Sequence, residues 1–211
     1  MERIAEWLAY QLIKHWLLAI NLALTLFLLP TVLAPILMNA GLTEPAKVIY
    51  SLYSITCHQL PERSFFIGPK LTYSLEEIQK AMGSQVNNVF KRRAFLGNPE
   101  LGYKIAICQR DFAIYLSILL AGLAFALVRD KLDPLPFVAF LIFCIPISVD
   151  GLTQLLGLRE STPAGRVFSG SLFGVGLVWT LYPRIEAAFK EAQKVAEENW
   201  KRKSGKSTEG F

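Results

Sequence analysis

The stretch that decides the fold is WLLAINLALTLFLLPTVLAPILM, residues 16–38, which contains no charged side chain. Its 23 residues exceed the ~20 that an α-helix needs to cross the hydrocarbon core of a bilayer. Three further apolar runs follow at residues 112–128, at residues 134–149, which continue helically towards Gly157, and at residues 167–183. Of the 211 residues, 53% are hydrophobic and 18% are charged, whereas soluble domains average about 25% charged residues. The sequence therefore predicts an all-α membrane protein with four transmembrane helices.

The distribution of basic residues predicts the orientation of these helices. Four spans place both termini on the same side, and lysine and arginine are enriched in cytoplasmic loops and tails. The loop after the second span contains Arg129 and Lys131, and residues 184–211 contain seven further basic side chains. We therefore expect a multi-pass protein of the cell membrane with both termini in the cytoplasm.

These boundaries divide the chain into parts with different expected roles. Residues 1–15 are predicted to form a cytoplasmic N-terminus, residues 16–183 a four-helix membrane domain, and residues 184–211 a basic cytoplasmic tail helix. Within the membrane domain, residues 39–110 are predicted to fold as an extracytoplasmic cap between the first and second spans. The cap contains a helix capping box at residues 74–77 and a turn signal at residues 97–99. The net charge of +5 is shared between tail and cap without an RNA-binding motif, so we expect no nucleic-acid partner.

Three polar motifs are predicted to meet on one side of the membrane. They are Cys57-His58-Gln59 with Arg63, Cys108-Gln109-Arg110-Asp111, and the run from Asp150 to Thr162 followed by Arg166. An acid inside a span costs several kcal/mol unless it is paired or faces water, so Asp150 is a candidate catalytic or ligand-binding residue. The alternative is a salt bridge from Asp150 to a nearby arginine, which would fix the third span to its neighbours.

His58 is the other candidate catalytic residue. It is the only histidine in the predicted cap, and an imidazole can both accept a proton and bind a metal. It could therefore act as a general base or as a metal ligand. The competing interpretation is a histidine at a helix end that is hydrogen-bonded to a backbone carbonyl.

Four arginines lie in or beside the three motifs and suggest an anionic ligand. Guanidinium groups near a membrane surface pair well with phosphate and carboxylate groups. The candidate ligand-binding residues are Gln59, Arg63, Arg110, Gln154, Arg159, Ser161, Thr162 and Arg166. Together they could hold the head group of an anionic lipid. The competing interpretation is that the arginines pair with acids of the same chain, which are Glu62, Asp111, Asp150 and Glu160.

Cys57 and Cys108 permit three kinds of chemistry. In an oxidising compartment, two external cysteines 51 positions apart could form a disulfide that joins the cap to the second span. Alternatively, Cys57, His58, Cys108 and Asp111 could hold zinc in a tetrahedral site. Free thiols in a reversible redox reaction are the third possibility, although no Cys-x-x-Cys motif is present.

The motifs carry a resemblance to a known family. Residues 57–65 read Cys-His-Gln-Leu-Pro-Glu-Arg-Ser-Phe, and they are followed by Cys-Gln-Arg at 108–110 and by Asp-Gly-Leu-Thr-Gln from residue 150. In this order they resemble the uncharacterised bacterial and archaeal membrane proteins grouped as domain of unknown function 2085. The match extends from about Ser54 to Gly174 and implies a shared site without implying a reaction. Many relatives resemble Cys-x-Arg-Cys where this chain has Asp111, and they have asparagine where it has Pro163. A metal centre shared with them would have exchanged a soft thiolate for a hard carboxylate.

The functional hypothesis that follows is an outward-facing polar site that binds, and could process with metal assistance, an anionic or phosphate-bearing lipid-linked ligand. A non-enzymatic accessory subunit of a membrane complex, or a small transporter, is the first alternative. A thiol-disulfide redox protein is the second. Gly170 and Gly174 form a GxxxG motif that we expect to pack against a small-residue face of the second span at Ser117 and Ala121.

Overall fold

The computed structural model describes residues 2–83 and 88–205, and it is mostly helical. In chain order, the elements are α1 (Glu2–Lys14), α2 (Trp16–Asn39), α3 (Thr43–Tyr53), a 3-10 turn (Pro61–Arg63), β1 (Ser64–Ile67), α4 (Leu75–Ala81), α5 (Val89–Ala94), β2 (Gly97–Asn98), β3 (Gly102–Cys108), α6 (Gln109–Val128), α7 (Phe137–Leu155) and α8 (Pro163–Gly205).

Four helices, α2, α6, α7 and α8, are long and apolar enough to cross a membrane. Their number and their positions in the sequence confirm the predicted spans. Helices α2 and α7 end where α6 and α8 begin, and we call this end of the bundle the cap end. The opposite end, where α2 and α7 begin, is called the tail end.

Helices α6 and α8 approach each other closely along the glycine motif. A Cβ atom on Gly174 would lie 2.0 Å from Ser117 Oγ and 2.8 Å from Ile114 O, and one on Gly170 would lie 2.8 Å from Arg110 O. Only hydrogen at these positions allows the two backbones to come this near. The predicted packing of the GxxxG motif within the chain is confirmed.

Helix α8 continues without a break through Pro183, where the fourth span was predicted to end. A proline inside a helix leaves the carbonyl four residues earlier without its N–H partner. That carbonyl, Trp179 O, accepts a hydrogen bond from the backbone N–H of Leu135 at 3.2 Å. Because the freed acceptor is satisfied by the loop before α7, the helix tolerates the proline. The predicted tail helix is thus the continuation of α8, and residues 206–211 lie outside the described part of the chain.

The expectation of a purely helical protein is wrong for the cap. Strands β1, β3 and β2 form an antiparallel sheet in that spatial order, with Ser64 opposite Cys108 and Gly97 opposite Tyr103. Residues 97–98, predicted as part of a turn, belong to β2. The capping box is confirmed, since Ser74 Oγ accepts from Glu77 N at 3.2 Å and the Glu77 carboxylate accepts from Ser74 N at 2.8 Å.

The cap packs along the second half of α2. Helix α3 turns back after Asn39, so that the Tyr53 hydroxyl donates to Phe27 O. Phe27 lies 12 residues before the end of α2, which is about 18 Å along a helix axis. Strand β3 completes this core, which contains Leu28, Ala34, Ala46, Tyr50, Tyr53, Cys57 and residues 105–107. The first residue of α6 therefore follows directly from a strand that is packed against α2.

Candidate functional site

Asp150, near the end of α7, joins three elements at the cap end. Its side chain is 5% exposed, and both carboxylate oxygens accept from Ser161 Oγ at 2.7 Å. Arg159 Nη2 lies 3.0 Å from Oδ1, and Arg110, in the first turn of α6, forms an ion pair with Oδ2. The predicted salt bridge is thus present, and it involves two of the predicted ligand-binding arginines.

Glu160 is the second acid at this end, and its contacts are long. Its side chain is 76% exposed, and Oε2 lies 3.6 Å from Arg63 Nη2 and 3.9 Å from Arg166 Nη2. Gln154 Nε2 donates to the same oxygen at 3.3 Å. Exposed pairs of this kind contribute ~0–1 kcal/mol to stability. Glu160 therefore neutralises its arginines weakly.

Arg166 is the most buried arginine of the site, with 4% of its surface exposed. Its Nη1 donates to Gln109 Oε1 at 3.0 Å and contacts Glu62 O at 3.4 Å. The Nε atoms of Arg63, Arg110 and Arg166 are all buried and have no hydrogen-bond partner. Buried donors without a partner are costly, so these three groups have capacity for a further acceptor.

The charges at this end do not balance. The cap-end cluster is defined as Arg63, Arg110, Asp150, Arg159, Glu160 and Arg166. Its ion pairs form two groups: Asp150 pairs with Arg110 and Arg159, and Glu160 pairs with Arg63 and Arg166. Gln154 bridges the two groups, since it accepts from Arg110 and donates to Glu160, each at 3.3 Å. Four guanidinium groups face two carboxylates, which leaves an excess of two positive charges. The neighbouring Glu62 is already paired with Arg92 at 2.8 Å and so does not reduce this excess.

Two thiols and a carboxylate form a separate group at the N-terminus of α6. The ligand atoms of Cys57, Cys108 and Asp111 all lie within 4.8 Å of one another. We call these three residues the thiol cluster. Both cysteines are free thiols in this structure, and the disulfide between them stays a prediction.

The hydrogen bond between the two thiols shifts their pKa values in opposite directions. Because the Cys108 thiol donates to Cys57 Sγ, the pKa of Cys57 is lowered despite its burial. The same hydrogen bond, together with burial, raises the pKa of Cys108 well above its usual range. Cys57 is thus the thiol that more readily becomes a thiolate.

Three residues that were predicted to form part of the site, His58, Gln59 and Thr162, belong neither to the cap-end cluster nor to the thiol cluster. His58 is exposed and belongs neither to the thiol cluster nor to the partners of Asp150. Gln59 is buried in the cap, where Nε2 donates to Tyr50 O at 2.8 Å and Ala106 O at 2.7 Å. Thr162 accepts from Gly165 N at 3.0 Å in the first turn of α8. The structure therefore does not bring His58 to Asp150 as an acid–base pair.

Lys104 is a buried cation that the sequence reasoning missed. It is fully buried in β3, where Nζ donates to Gln59 O at 2.5 Å and to Arg93 O at 2.8 Å. Burial lowers its pKa to about 7, although the negative charge of Glu62 acts in the opposite direction. The short apolar run from Ile105 to Cys108, which includes two β-branched residues, is a strand signal that could have placed this lysine in a sheet.

Comparisons with known proteins identify similar sequences in a family of predicted membrane proteins. The family model described as "Predicted membrane protein (DUF2085)" matches residues 98–180. An uncharacterized protein of Methanocaldococcus jannaschii is 30% identical over 178 residues, which cover 81% of this chain and 92% of that protein. An uncharacterized protein of Methanothermobacter thermautotrophicus is 34% identical over 76 residues, which cover 36% of this chain and 68% of that protein. No solved structure matches the chain.

Fold and site together define a multi-pass membrane protein with four candidate spans and a polar cluster where three of them meet. The chain belongs to the DUF2085 family, as its motifs predicted. The matched residues 98–180 include Cys108, Asp111, Asp150 and Arg166 but not Cys57.

Proposed function

We propose that the cap-end cluster binds an anionic group, and that this group is the phosphate of a lipid head group or lipid-linked ligand. The observation that carries the proposal is the excess of four arginines over two acids in two groups of ion pairs that Gln154 joins. Arginine donors match the oxygens of phosphate in pairs, so a bound phosphodiester would neutralise one of the two uncompensated charges and a phosphomonoester would neutralise about two.

The long contacts of Glu160 support the idea that a ligand anion can replace its carboxylate. This carboxylate is largely exposed and reaches Arg63 and Arg166 only at 3.6 and 3.9 Å. A ligand phosphate that displaced it could approach the same two guanidinium groups more closely and so gain shorter contacts. Asp150 has the complementary role: its short contacts hold Arg110 and Arg159 in fixed orientations.

The position of the cluster supports a lipid as the source of the anion. It lies where α6 and α8 begin and α7 ends, and all three helices are candidate membrane spans. Charged groups at the end of a span lie at the height of the lipid head groups. With the basic loop and tail on the cytoplasmic side, the cap end would face outward and would meet the outer leaflet. This orientation is part of the proposal.

We propose that the cap-end cluster binds its ligand without catalysing a reaction. Both oxygens of Asp150 are engaged by Arg110, Arg159 and Ser161, and a saturated carboxylate is a poor general base. His58 lies outside the cluster. The contacts therefore favour a receptor, a carrier or a lipid-dependent subunit of a membrane complex over a hydrolase.

Native mass spectrometry in an uncharged detergent tests the proposal with phosphatidylglycerol and phosphatidylcholine as probes. Wild type should retain one phosphatidylglycerol in preference to phosphatidylcholine, and Arg63→Gln should reduce this retention several-fold. Lys47→Gln is the matched control, because it removes an equal charge from an exposed cap residue outside the cluster. Glycerol 3-phosphate should compete with phosphatidylglycerol, because it presents an anionic phosphate without the choline cation that neutralises phosphatidylcholine. Equal retention of the two lipids, or equal loss in both variants, would contradict the proposal.

A further inference from the structure

The thiol cluster has the ligands and the spacing of a metal site that shares no residue with the cap-end cluster. We propose that Cys57, Cys108 and Asp111 bind a divalent metal of the zinc class, with a fourth position open to water or to another ligand. Their three ligand atoms lie within 4.8 Å of one another. At a zinc–sulfur distance of about 2.3 Å, tetrahedral geometry separates two sulfurs by about 3.8 Å. The same geometry places a sulfur and a carboxylate oxygen about 3.5 Å apart, so the site needs a contraction of about 1.3 Å at most.

Backbone N–H groups point at both sulfurs. Cys57 Sγ accepts from Cys108 N at 3.2 Å and from Gln59 N at 3.5 Å, and Cys108 Sγ accepts from Asp111 N at 3.4 Å. Neutral sulfur is a weak acceptor, whereas a thiolate attracts such donors strongly. Three donors on two sulfurs therefore prepare them for the anionic form that binds a metal.

The residue that donates one of these hydrogen bonds, Gln59, has an unusual backbone conformation. Its φ of 51° is the only positive value at a non-glycine residue in the described part of the chain. Residues other than glycine enter this region at a cost and remain there when their surroundings hold them. Here the buried Gln59 amide is held by Tyr50 O and Ala106 O, and its N–H is directed at Cys57 Sγ.

The three ligands are fixed by different elements before any metal arrives. Cys108 ends β3 and is the N-cap residue of α6, while Asp111 lies in the first turn of that helix. The backbone N–H of Cys57 donates to Tyr53 O at 3.1 Å, which holds it at the end of α3. A site assembled from a strand, a helix start and a loop loses little entropy when the metal binds.

The donor set narrows the choice of metal. Two thiolates favour a borderline-soft ion such as zinc over magnesium or calcium, and one carboxylate is a familiar zinc ligand. Three protein ligands with one free position are the arrangement of zinc sites that act on a bound molecule, whereas purely structural sites have four protein ligands. His58 was expected to be the fourth ligand, but the cluster does not include it.

Cobalt titration of the full chain, purified in detergent with a phosphine reductant, tests this proposal. One equivalent of Co²⁺ should produce a thiolate-to-cobalt absorption band, and Zn²⁺ should displace it. Cys57→Ser and Cys108→Ser should abolish the band, and Asp111→Asn should weaken binding at least about tenfold. Serine is a favoured N-cap residue, so Cys108→Ser preserves the start of α6. Cys144→Ser is the control, because this half-buried cysteine of α7 lies outside the cluster and should bind as wild type does.

Two results would overturn the metal site. The first is wild-type protein with both thiols reduced, as alkylation would show, that forms no cobalt band. The second is a Cys57–Cys108 disulfide that forms in oxidised glutathione buffer even when zinc is in excess. Circular dichroism of each variant, compared with wild type, separates loss of metal from loss of fold.

Discussion

The two ends of the bundle each bury a carboxylate against an arginine, but their charge balance differs. At the tail end, Glu186 is 3% exposed; it accepts from Arg129 at 2.6 and 3.1 Å and from Trp16 Nε1 at 2.9 Å. Lys190 contacts both Glu186 and Asp130. We call these four charged residues the tail-end cluster. Its two cations meet two acids, whereas four cations meet two acids in the cap-end cluster.

This difference separates a structural ion pair from a binding site. A balanced cluster whose buried acid makes short contacts has no charge left for a ligand, so the tail-end cluster connects α2, α6 and α8. The cap-end cluster has one acid with short contacts and one that is exposed and loosely held. Its excess charge is a feature that stability alone does not require.

The largest effect is expected at the tail end. Glu186→Gln removes the charge that compensates Arg129 and should lower the stability of the bundle by about 2 kcal/mol. This is below the ~3–5 kcal/mol typical of a fully buried pair, because the Arg129 side chain is 39% exposed. Thermal unfolding in detergent measures the loss, and Glu191→Gln on the exposed face of the same helix is the control. A stability equal to wild type would show that the tail-end cluster does not hold the helices together.

The cap contains a buried lysine, Lys104, whose lowered pKa predicts that the stability of the protein depends on pH. Since the pKa of Lys104 is about 7 when folded and near 10.5 when unfolded, the unfolded chain binds more protons between these values. Stability should therefore rise with pH in this window, by about 1 kcal/mol between pH 7.5 and 8.5.

Lys104→Met isolates this contribution. The variant replaces the ammonium group by an apolar side chain of similar length, so its thermal midpoint should depend less on pH than that of wild type. Unfolding scans at pH 7.5 and 8.5 compare the two proteins. Parallel pH dependences would show that Lys104 is protonated alike in the folded and unfolded chain.

The smallest change in stability is expected at Glu160. Glu160→Gln should alter the free energy of unfolding by less than about 0.5 kcal/mol, since the side chain is 76% exposed. It should nevertheless strengthen phosphatidylglycerol binding by roughly two- to fivefold, because it removes the carboxylate that occupies Arg63 and Arg166. Glu44→Gln, an exposed acid of the cap paired with Lys47, is the matched control. Weaker binding in Glu160→Gln would mean that Glu160 helps the ligand to bind.

The sequence predicted the spans and part of the site because these depend on local properties. Twenty apolar residues specify a membrane helix whatever lies around them. The alternation of helix directions then brings Arg110, Asp150 and Ser161 to one end of the bundle. What the sequence could not determine is which arginines would find acids, because that depends on the reach of side chains between elements.

The cap was predicted less well, since its structure depends on distant pairings. Strand β1 pairs with β3 across some forty residues, and β2 contains only two residues. Strands this short give a weak periodic signal. Likewise, Pro183 signalled the end of a helix, but Leu135 supplies the hydrogen bond that lets α8 continue.

Of the two clusters, the cap-end cluster has charge available for an anion and the tail-end cluster does not, and one paired measurement tests this difference. Arg159→Gln and Arg129→Gln remove the same group from opposite ends of the bundle. The increase in thermal midpoint that phosphatidylglycerol produces should be lost in Arg159→Gln and retained in Arg129→Gln, each relative to its own lipid-free baseline. An increase of equal size in both variants, or one lost only in Arg129→Gln, would contradict the account.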